Sequence, residues 1–550
     1  MQGDVAVRRF GVPSRFTGGS PNLTPLRCIM EVYHNLRTIV RSSIGFLRKF
    51  DAKGLAIITD MRIVGVTCLL GAMVCAGNAM AEEAKDGVAT VSVDFLEKIG
   101  RIRPALHSSG FGPLLCDHLS PKDTTESLLA MNMAYARTHD WAHVNTNERV
   151  CDTHFIFPLE HLDPADPKNY YFAATDELLR RTREELGMRI FFRFGTSIEH
   201  SGLVHFNTEI PKDFDKTAEI YAGIVRHYNC GWANGYRWGI RYWEVWNEPD
   251  GCNNQWTIPG EDDTANAKAN RPKRLKLYRE FLVKVIRRLK AEFPEIKVGG
   301  PAFTAFRYDE LREILIDCKT AGVTPDFLSW HYYGNKVDWM GECAAKLRKT
   351  CDGLGFPNCE LIVNEWHYMV DGGFKALRDP DPQAYARAWE SPASLNGIDS
   401  TVFTLATLGA FQTSKLDQAY YYGCGHNGSW GFRTLEGNRK HKTYYGLCLF
   451  GSLVRNYQEI CCSSSYCENV RALAVRSEDC SRHGLLVTDY RGKAGAIVID
   501  VKGIPAGRIA TARVIDLERN GEPCACQWAN GRLVLEKKQG GSAAYLVDFR

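Results

Sequence analysis

Tyr242-Trp243-Glu244-Val245-Trp246-Asn247-Glu248-Pro249 runs an apolar, aromatic strand straight into Asn-Glu-Pro. Proline has no N–H for a ladder and disfavours helical backbone in the residue before it, so the strand stops here and Glu248 stands at its carboxyl end. Leu361-Ile362-Val363-Asn364-Glu365-Trp366 has the same construction, a short aliphatic run that delivers a glutamate beside an aromatic residue. Barrels of parallel strands gather their functional groups at the carboxyl ends of those strands. Two such segments therefore predict two carboxyls facing one cleft.

Around these segments, short aliphatic or aromatic runs alternate with longer amphipathic ones, the pattern of βα units closing on a parallel barrel. Eight inner strands are predicted, near residues 105–110, 133–139, 188–194, 240–246, 296–300, 327–331, 361–364 and 418–422. The intervening stretches read as helices; Leu311, Ile314, Leu315 and Cys318 fall on one helix face that would pack on the barrel wall. Past about Val454 helical periodicity stops and short alternating strands take over, among them 485–487, 496–499 and 544–547. The expected architecture is an α/β (β/α)8 TIM barrel over residues 105–453 with an accessory C-terminal β-sandwich over 454–550. Residues 82–104, with their own alternation at 88–95, are expected to add a strand to that sandwich. A chain of 550 residues, 45% hydrophobic, has the material for both cores.

The formal charge of +4 is concentrated at the start. The first 81 residues carry 10 of the 68 Lys/Arg and 4 of the 64 Asp/Glu, leaving 58 basic against 60 acidic residues. No basic stripe interleaved with aromatic residues follows, so no nucleic acid partner is expected. From Met61 the text reads Met-Arg, then an apolar stretch from Ile63 to about Gly77, then Asn78-Ala79-Met80-Ala81. That is the form of a secretory signal peptide over 61–81 cleaved after Ala81, with an apolar region too short for a comfortable membrane span. Residues 1–60 then read as an upstream extension outside the mature protein. An extracytoplasmic location (secreted or periplasmic) without a stable membrane anchor is expected. Sixteen of the 19 cysteines follow Ala81, and an oxidising compartment leads us to expect at least one disulfide among them. None of their spacings, with the available histidines, is that of a zinc site.

Two carboxyls across a cleft suit one chemistry well. Breaking a glycosidic bond requires a proton for the leaving oxygen and either a nucleophile or an activated water at the anomeric carbon. A carboxyl separation of about 5–5.5 Å places a nucleophile and retains configuration, whereas about 6.5–9.5 Å admits a water and inverts it. The sequence leaves that distance open.

The motifs resemble the clan of retaining (β/α)8 glycosidases whose catalytic glutamates end strands 4 and 7, and within it family 39, the β-xylosidases and α-L-iduronidases. The resemblance is carried, in strand order over roughly residues 105–455, by Ala136-Arg137-Thr138-His139, Val245-Trp246-Asn247-Glu248-Pro249, Val298-Gly299-Gly300-Pro301-Ala302, Asp326-Phe327-Leu328-Ser329-Trp330-His331 and Asn364-Glu365-Trp366. It implies Glu248 as general acid/base, Glu365 as nucleophile and Asn247 as ligand of the sugar hydroxyl beside the anomeric carbon. Arg137 and Tyr333 resemble the residues that hold the nucleophile ionised and oriented, and His139 and His331 resemble sugar-hydroxyl ligands. A cation beside Glu365 would lower its pKa while desolvation keeps Glu248 protonated. A glycoside, oligosaccharide or polysaccharide substrate is implied, with no metal and no organic cofactor.

Each residue also has a structural reading: His139 and His331 as satisfied core histidines, Arg137 as a scaffold ion pair, Trp246 and Trp366 as wall packing. Tyr332 is the alternative to its neighbour Tyr333. Two departures bear on substrate. Strand 8 reads Tyr420-Tyr421-Tyr422-Gly423 where the clan places a stacking tryptophan, so a tyrosine, with Tyr421 as the candidate, or Trp430 from the following loop must replace it. His331 is followed by Tyr332 and Tyr333 where iduronidases have a basic pair, which favours a neutral sugar over a uronate. Lys336 lies further on, and a basic residue from another loop, Arg433 for instance, could reach the pocket and reverse that preference. A β-xylosidase-like exo-glycosidase is the expected activity; a transglycosylase and a catalytically weak carbohydrate-binding barrel are the alternatives.

Overall fold

Eight parallel strands close into a barrel in the computed structural model, which describes residues 87–550 except 118, 145, 147, 198–208, 252–255, 259–268, 390, 426–429, 434–438 and 538–539. The strands are β2 (Ser108–Ser109), β3 (Tyr135–Arg137), β4 (Arg189–Phe194), β5 (Tyr242–Val245), β6 (Lys297–Phe303), β7 (Phe327–Gly334), β8 (Glu360–Tyr368) and β9 (Gln418–Tyr421). All eight expected inner strands are present, and β2 returns to β9 to close the ring. The principal helices that follow them are α1 (Thr125–Met131), α2 (Ala173–Arg180), α3 (Phe214–Cys230), α4 (Arg271–Glu292), α5 (Tyr308–Thr320), α6 (Trp339–Leu354), α7 (Ile398–Thr413) and α8 (Lys442–Asn456). The stripe read in the sequence, Leu311, Ile314, Leu315 and Cys318, is the buried face of α5.

Alternation of side chains divides each barrel strand between wall and interior. On β5, Trp243 and Val245 join the large core between strands and helices, while Tyr242 points inward. Tyr135, Phe191, Tyr242, Phe327, Ile362 and Tyr420 make an aromatic floor inside the barrel. Above it the interior turns polar, with Arg137, Arg193, Glu244, Ser329 and Asn364 fully buried. A plugged apolar floor under a polar layer leaves function one place, the carboxyl-end mouth. The close packing of the floor shows at Gly299, where a Cβ would lie 2.2 Å from the Phe327 carbonyl oxygen.

The accessory β-domain is one continuous ten-stranded sheet that curls around a core of its own. The added strands are β1 (Val88–Arg101), β10 (Glu459–Ser465), β11 (Val470–Arg476), β12 (His483–Asp489), β13 (Ala496–Lys502), β14 (Ala510–Ile515), β15 (Asn520–Cys524), β16 (Gln527–Ala529), β17 (Arg532–Glu536) and β18 (Ala543–Phe549). Their order is β15-β14-β18-β12-β11-β10-β1-β13-β17-β16. The amino-terminal strand β1 enters at the middle, antiparallel to β10 and parallel to β13. Val91, Val93, Leu485, Ile497, Val514 and Leu535 share one apolar cluster, so strands far apart in the sheet face each other. The domain also braces the barrel: Arg491, in the loop after β12, donates to Tyr368 at 2.9 Å and to Asp371 and Asp399 at 3.1 and 3.2 Å.

The expected disulfide is not formed among the described residues, where all fifteen cysteines are free thiols. Many serve instead as small apolar side chains; Cys318, Cys343 and Cys351 are buried on the faces of α5 and α6. No helix among the described residues is long and apolar enough to cross a membrane. The expected signal peptide at 61–81 and the upstream extension 1–60 lie outside the described residues.

Candidate active site

Pro249 and two left-handed residues turn β5 out of the sheet. Trp246 (φ 72°) and Glu248 (φ 46°) both occupy a region that costs an ordinary side chain about 1–3 kcal/mol, which the surroundings must offset. Trp246 is held edge-on to Trp256 and lies against Gly195, where a Cβ would come within 2.6 Å of the indole. The Glu248 N–H donates to Ala302 O at 2.9 Å. Asp250, fully buried two residues on, accepts from Thr304 N and Oγ1 at 2.9 and 2.7 Å, pinning the turn to the end of β6. Asn247 and Glu248 thereby swing over the barrel mouth.

Glu365 reaches the same mouth by a different device. Pairing of β7 with β8 steps from Trp330↔Val363 to His331↔Glu365, so Asn364 is an extra residue and simple alternation is broken. Both neighbours consequently face inward: Asn364 Nδ2 donates to Glu244 at 2.8 Å, and Glu365 accepts from Arg137 Nη1 at 3.2 Å and from the Tyr333 hydroxyl. Trp366 returns to the wall, packed on Phe411 and Tyr421.

The two carboxyls meet across His331. A carboxylate oxygen of Glu248, one of Glu365 and a ring nitrogen of His331 all lie within 4.8 Å of one another. His331 Nδ1 is 2.9 Å from Glu248 Oε1 and its Nε2 is 3.6 Å from Glu365 Oε2. Burial raises the Glu248 pKa to about 8, with the negative charges of Asp250 and Asp140 adding to the rise against the pull of Arg137. Burial also raises Glu365, where the expectation was a lowered value. His331, Arg137 and the Tyr333 hydroxyl do favour its ionised form, but desolvation outweighs them. Burial lowers His331 and His139, leaving both rings neutral near pH 7.

Arg137 is the fork that joins these groups. Its Nε donates to Glu244 at 2.7 Å, its Nη2 to Asn247 Oδ1 at 2.7 Å and its Nη1 to Glu365. With Oδ1 engaged, the Asn247 amide is oriented so that Nδ2, buried and without a partner among the described residues, is left to donate. His139 Nε2 stands 3.8 Å from Glu365 Oε2 and 3.4 Å from Asp140. Tyr333, rather than Tyr332, is the tyrosine at the site, since the Tyr332 hydroxyl donates to Lys336 O.

One expected site residue is displaced. Tyr421 continues the alternation from inward Tyr420, so its ring faces the wall, 5.2 Å from Trp366, with the hydroxyl buried near Thr404 and Thr443. Its neighbour Tyr422 takes the cleft position, donating to Asp140 Oδ2 at 2.8 Å with its ring 6.1 Å from His139. Trp430 does stand at the cleft, 5.4 Å from Tyr333 and 5.7 Å from Tyr422. Arg433 is directed toward Pro121 O at 3.5 Å. Counting parity from Tyr420 is the signal that separates Tyr422 from Tyr421. Glu244 was also legible as a charge inside an otherwise apolar strand.

Fold and site together define a (β/α)8-barrel protein with paired carboxyls at the ends of its fourth and seventh barrel strands. Residues 90–348 match the model of the Glycosyl hydrolases family 39. The chain is homologous to the family 39 glycoside hydrolases. A β-xylosidase of Geobacillus stearothermophilus is 31% identical over 136 residues, 24% of this chain and 23% of that enzyme, so the matched stretch spans under a quarter of the curated relative. Among solved structures, a glucosidase from Croceicoccus marinus (TM-score 0.63, 21% identity) and a family 39 enzyme from Xanthomonas axonopodis pv. citri (TM-score 0.57, 16% identity) share the fold. Each comparison covers 84% of this chain, and 99% and 97% of those chains respectively.

Proposed function

We propose that this protein is a retaining glycoside hydrolase acting by double displacement, β-xylosidase-like, on the non-reducing end of a neutral glycoside. The observation that carries this reading is the approach of Glu248 and Glu365 to within 4.8 Å at their nearest oxygens, too close for the water of an inverting mechanism. Glu248, protonated below about pH 8, gives its proton to the leaving oxygen while ionised Glu365 attacks the anomeric carbon. The C–O bond to the aglycone breaks, a glycosyl ester forms on Glu365, and deprotonated Glu248 then takes a proton from the water that cleaves the ester. Asn247 Nδ2 is the donor for the hydroxyl beside the anomeric carbon, a bond that strengthens in the transition state. Tyr333 and Arg137 hold Glu365 in line.

The leader motif at 61–81 supports an extracytoplasmic site of action. Release of nitrophenol from a panel of aryl glycosides, with purified protein from Glu82 onward, tests the activity. Turnover of a neutral β-glycoside is expected, and a chain inert on every member of the panel would overturn the reading.

A further inference from the structure

Glu244 lies in the buried polar layer beneath the proposed catalytic pair, with both carboxylate oxygens hydrogen-bonded. Its side chain is wholly buried and meets three donors from three strands. Oε2 accepts from Arg137 Nε of β3 at 2.7 Å, and Oε1 accepts from Ser329 Oγ of β7 at 2.7 Å and from Asn364 Nδ2 of β8 at 2.8 Å. The Ser329 hydroxyl is itself an acceptor for Ala302 N–H at 2.9 Å, so its own proton is the one directed at Glu244. A site with donors only, on both oxygens, is built for a carboxylate and not for an amide or a carboxylic acid.

Arg137 therefore serves two carboxylates, and not equally. Its contact with Glu244 is 2.7 Å, against 3.2 Å to Glu365. We propose that Glu244 is a positioning residue for Glu365: by holding Arg137 in the shorter of its two carboxylate contacts, it fixes the guanidinium under the nucleophile and offsets the charge that the nucleophile feels. Deepening the function proposed above, this rests on Glu365 being the nucleophile. Without Glu244 the fork would swing fully onto Glu365, making it a weaker base and a poorer nucleophile. The same bare cation would make Glu248 a stronger acid, emptying it of its proton at lower pH. The other groups facing Glu365 are His139 beyond β3, Glu248 beyond β5, and His331 and Tyr333 of β7. Burial disfavours the charged form of both histidines, whereas Arg137 keeps its charge throughout, so Arg137 is the cation whose placement Glu244 sets.

The experiment compares the parent with Glu244→Gln and Glu244→Asp, by carboxyl titration of Glu365 using ¹³C NMR and by the pH dependence of kcat/KM. In Glu244→Gln the Glu365 midpoint and both limbs of the profile should move to lower pH by about 1 unit, the size expected when an opposite charge is unmasked nearby. In Glu244→Asp the charge is kept while the reach is shortened, so the limbs should stay and kcat should fall by about tenfold or more. A Glu244→Gln protein with unmoved midpoint and limbs would reduce Glu244 to a structural acceptor and overturn the proposal. Should Glu244→Gln fail to fold, Glu244→Asp decides: full kcat, or limbs displaced to lower pH, overturns it. The NMR titration reads Glu365 whether or not any glycoside is turned over, so failure of the proposed activity and failure of this proposal are separate results.

Discussion

His331 Nδ1 lies 2.9 Å from Glu248 Oε1, and the same ring, buried and uncharged, presents its far nitrogen toward Glu365. A neutral ring between two carboxyls cannot cancel a second negative charge, so the site favours one ionised and one protonated acid. The pH dependence follows. Glu248 must be protonated to act as acid, and its pKa stands near 8, so kcat/KM on a glycoside with a poor leaving group should fall as pH rises through about 8. Glu365 must be ionised and is raised above the ordinary carboxylate value, so the acid limb should lie above pH 4.5. Glu248→Gln should abolish the basic limb on substrates that need no protonation; its survival there would assign that limb to another group.

The same shift has a sign for stability. The folded protein holds the Glu248 proton more tightly than the unfolded chain does, so this group's contribution is fully present below about pH 4.5 and is lost as pH rises toward 8. Glu248→Gln removes the titration. The Tm of the variant relative to the parent should therefore be higher at pH 8 than at pH 4.5, and a Tm difference independent of pH would contradict the buried, protonated acid.

Much of this site was legible because proline and a strand end act locally: Asn-Glu-Pro fixes where β5 stops whatever surrounds it. The barrel order was legible for a similar reason, since each buried parallel strand is a short apolar run between helical patterns. What escaped depended on register between strands. The bulge at Asn364 turns Glu365 inward against the parity of its own strand, a property of the β7–β8 pairing that β8 alone does not encode. Tyr421 was mistaken for the cleft residue because three consecutive tyrosines hide the parity that Tyr420, locked in the barrel floor, sets for the other two. The net rise of Glu365 escaped because a motif names the cation beside a carboxylate but not the depth at which the pair is buried.

Tyr421 and Tyr422 should consequently respond differently to loss of a hydroxyl. Tyr422→Phe removes the bond to Asp140 beside His139 and leaves a buried acceptor short of a donor. A loss of about 1–3 kcal/mol, roughly fivefold to a hundredfold or more in kcat/KM, is expected. Tyr421→Phe changes only the wall and should leave kcat/KM within about twofold. Steady-state kinetics on one aryl glycoside decides, and equal losses in both variants would mean that Tyr422 does not face the sugar.

Substrate charge should follow the charge of the cleft. Arg137 is committed to Glu244, Asn247 and Glu365, Arg149 is ion-paired with Asp140 at 3.7 Å, and Arg433 is turned toward the Pro121 carbonyl. A uronate carboxylate would therefore find no basic pair after His331 to receive it. Neutral pentosides or hexosides should show the higher kcat/KM when matched aryl glycosides are compared, and a clear preference for the uronide would refute this.

The roles of the two glutamates can be separated by stereochemistry. Glu248→Ala should still form the glycosyl ester from an activated aryl glycoside, because such a leaving group needs little protonation. Azide admitted into the vacated volume would then attack the ester from the face that water uses, and the product should be a glycosyl azide of retained configuration. On unactivated substrates the same variant should lose about 10² to 10⁴ in rate, the usual worth of general acid assistance. Glu365→Ala leaves the acid in place and opens the nucleophile's own position below the ring. Azide there displaces the leaving group once, so the product should be inverted. NMR of the two azides gives the assignment directly: an inverted product from Glu248→Ala together with a retained one from Glu365→Ala would exchange the roles, and the strand-end turn at Asn247-Glu248-Pro249 would then present the nucleophile instead of the acid.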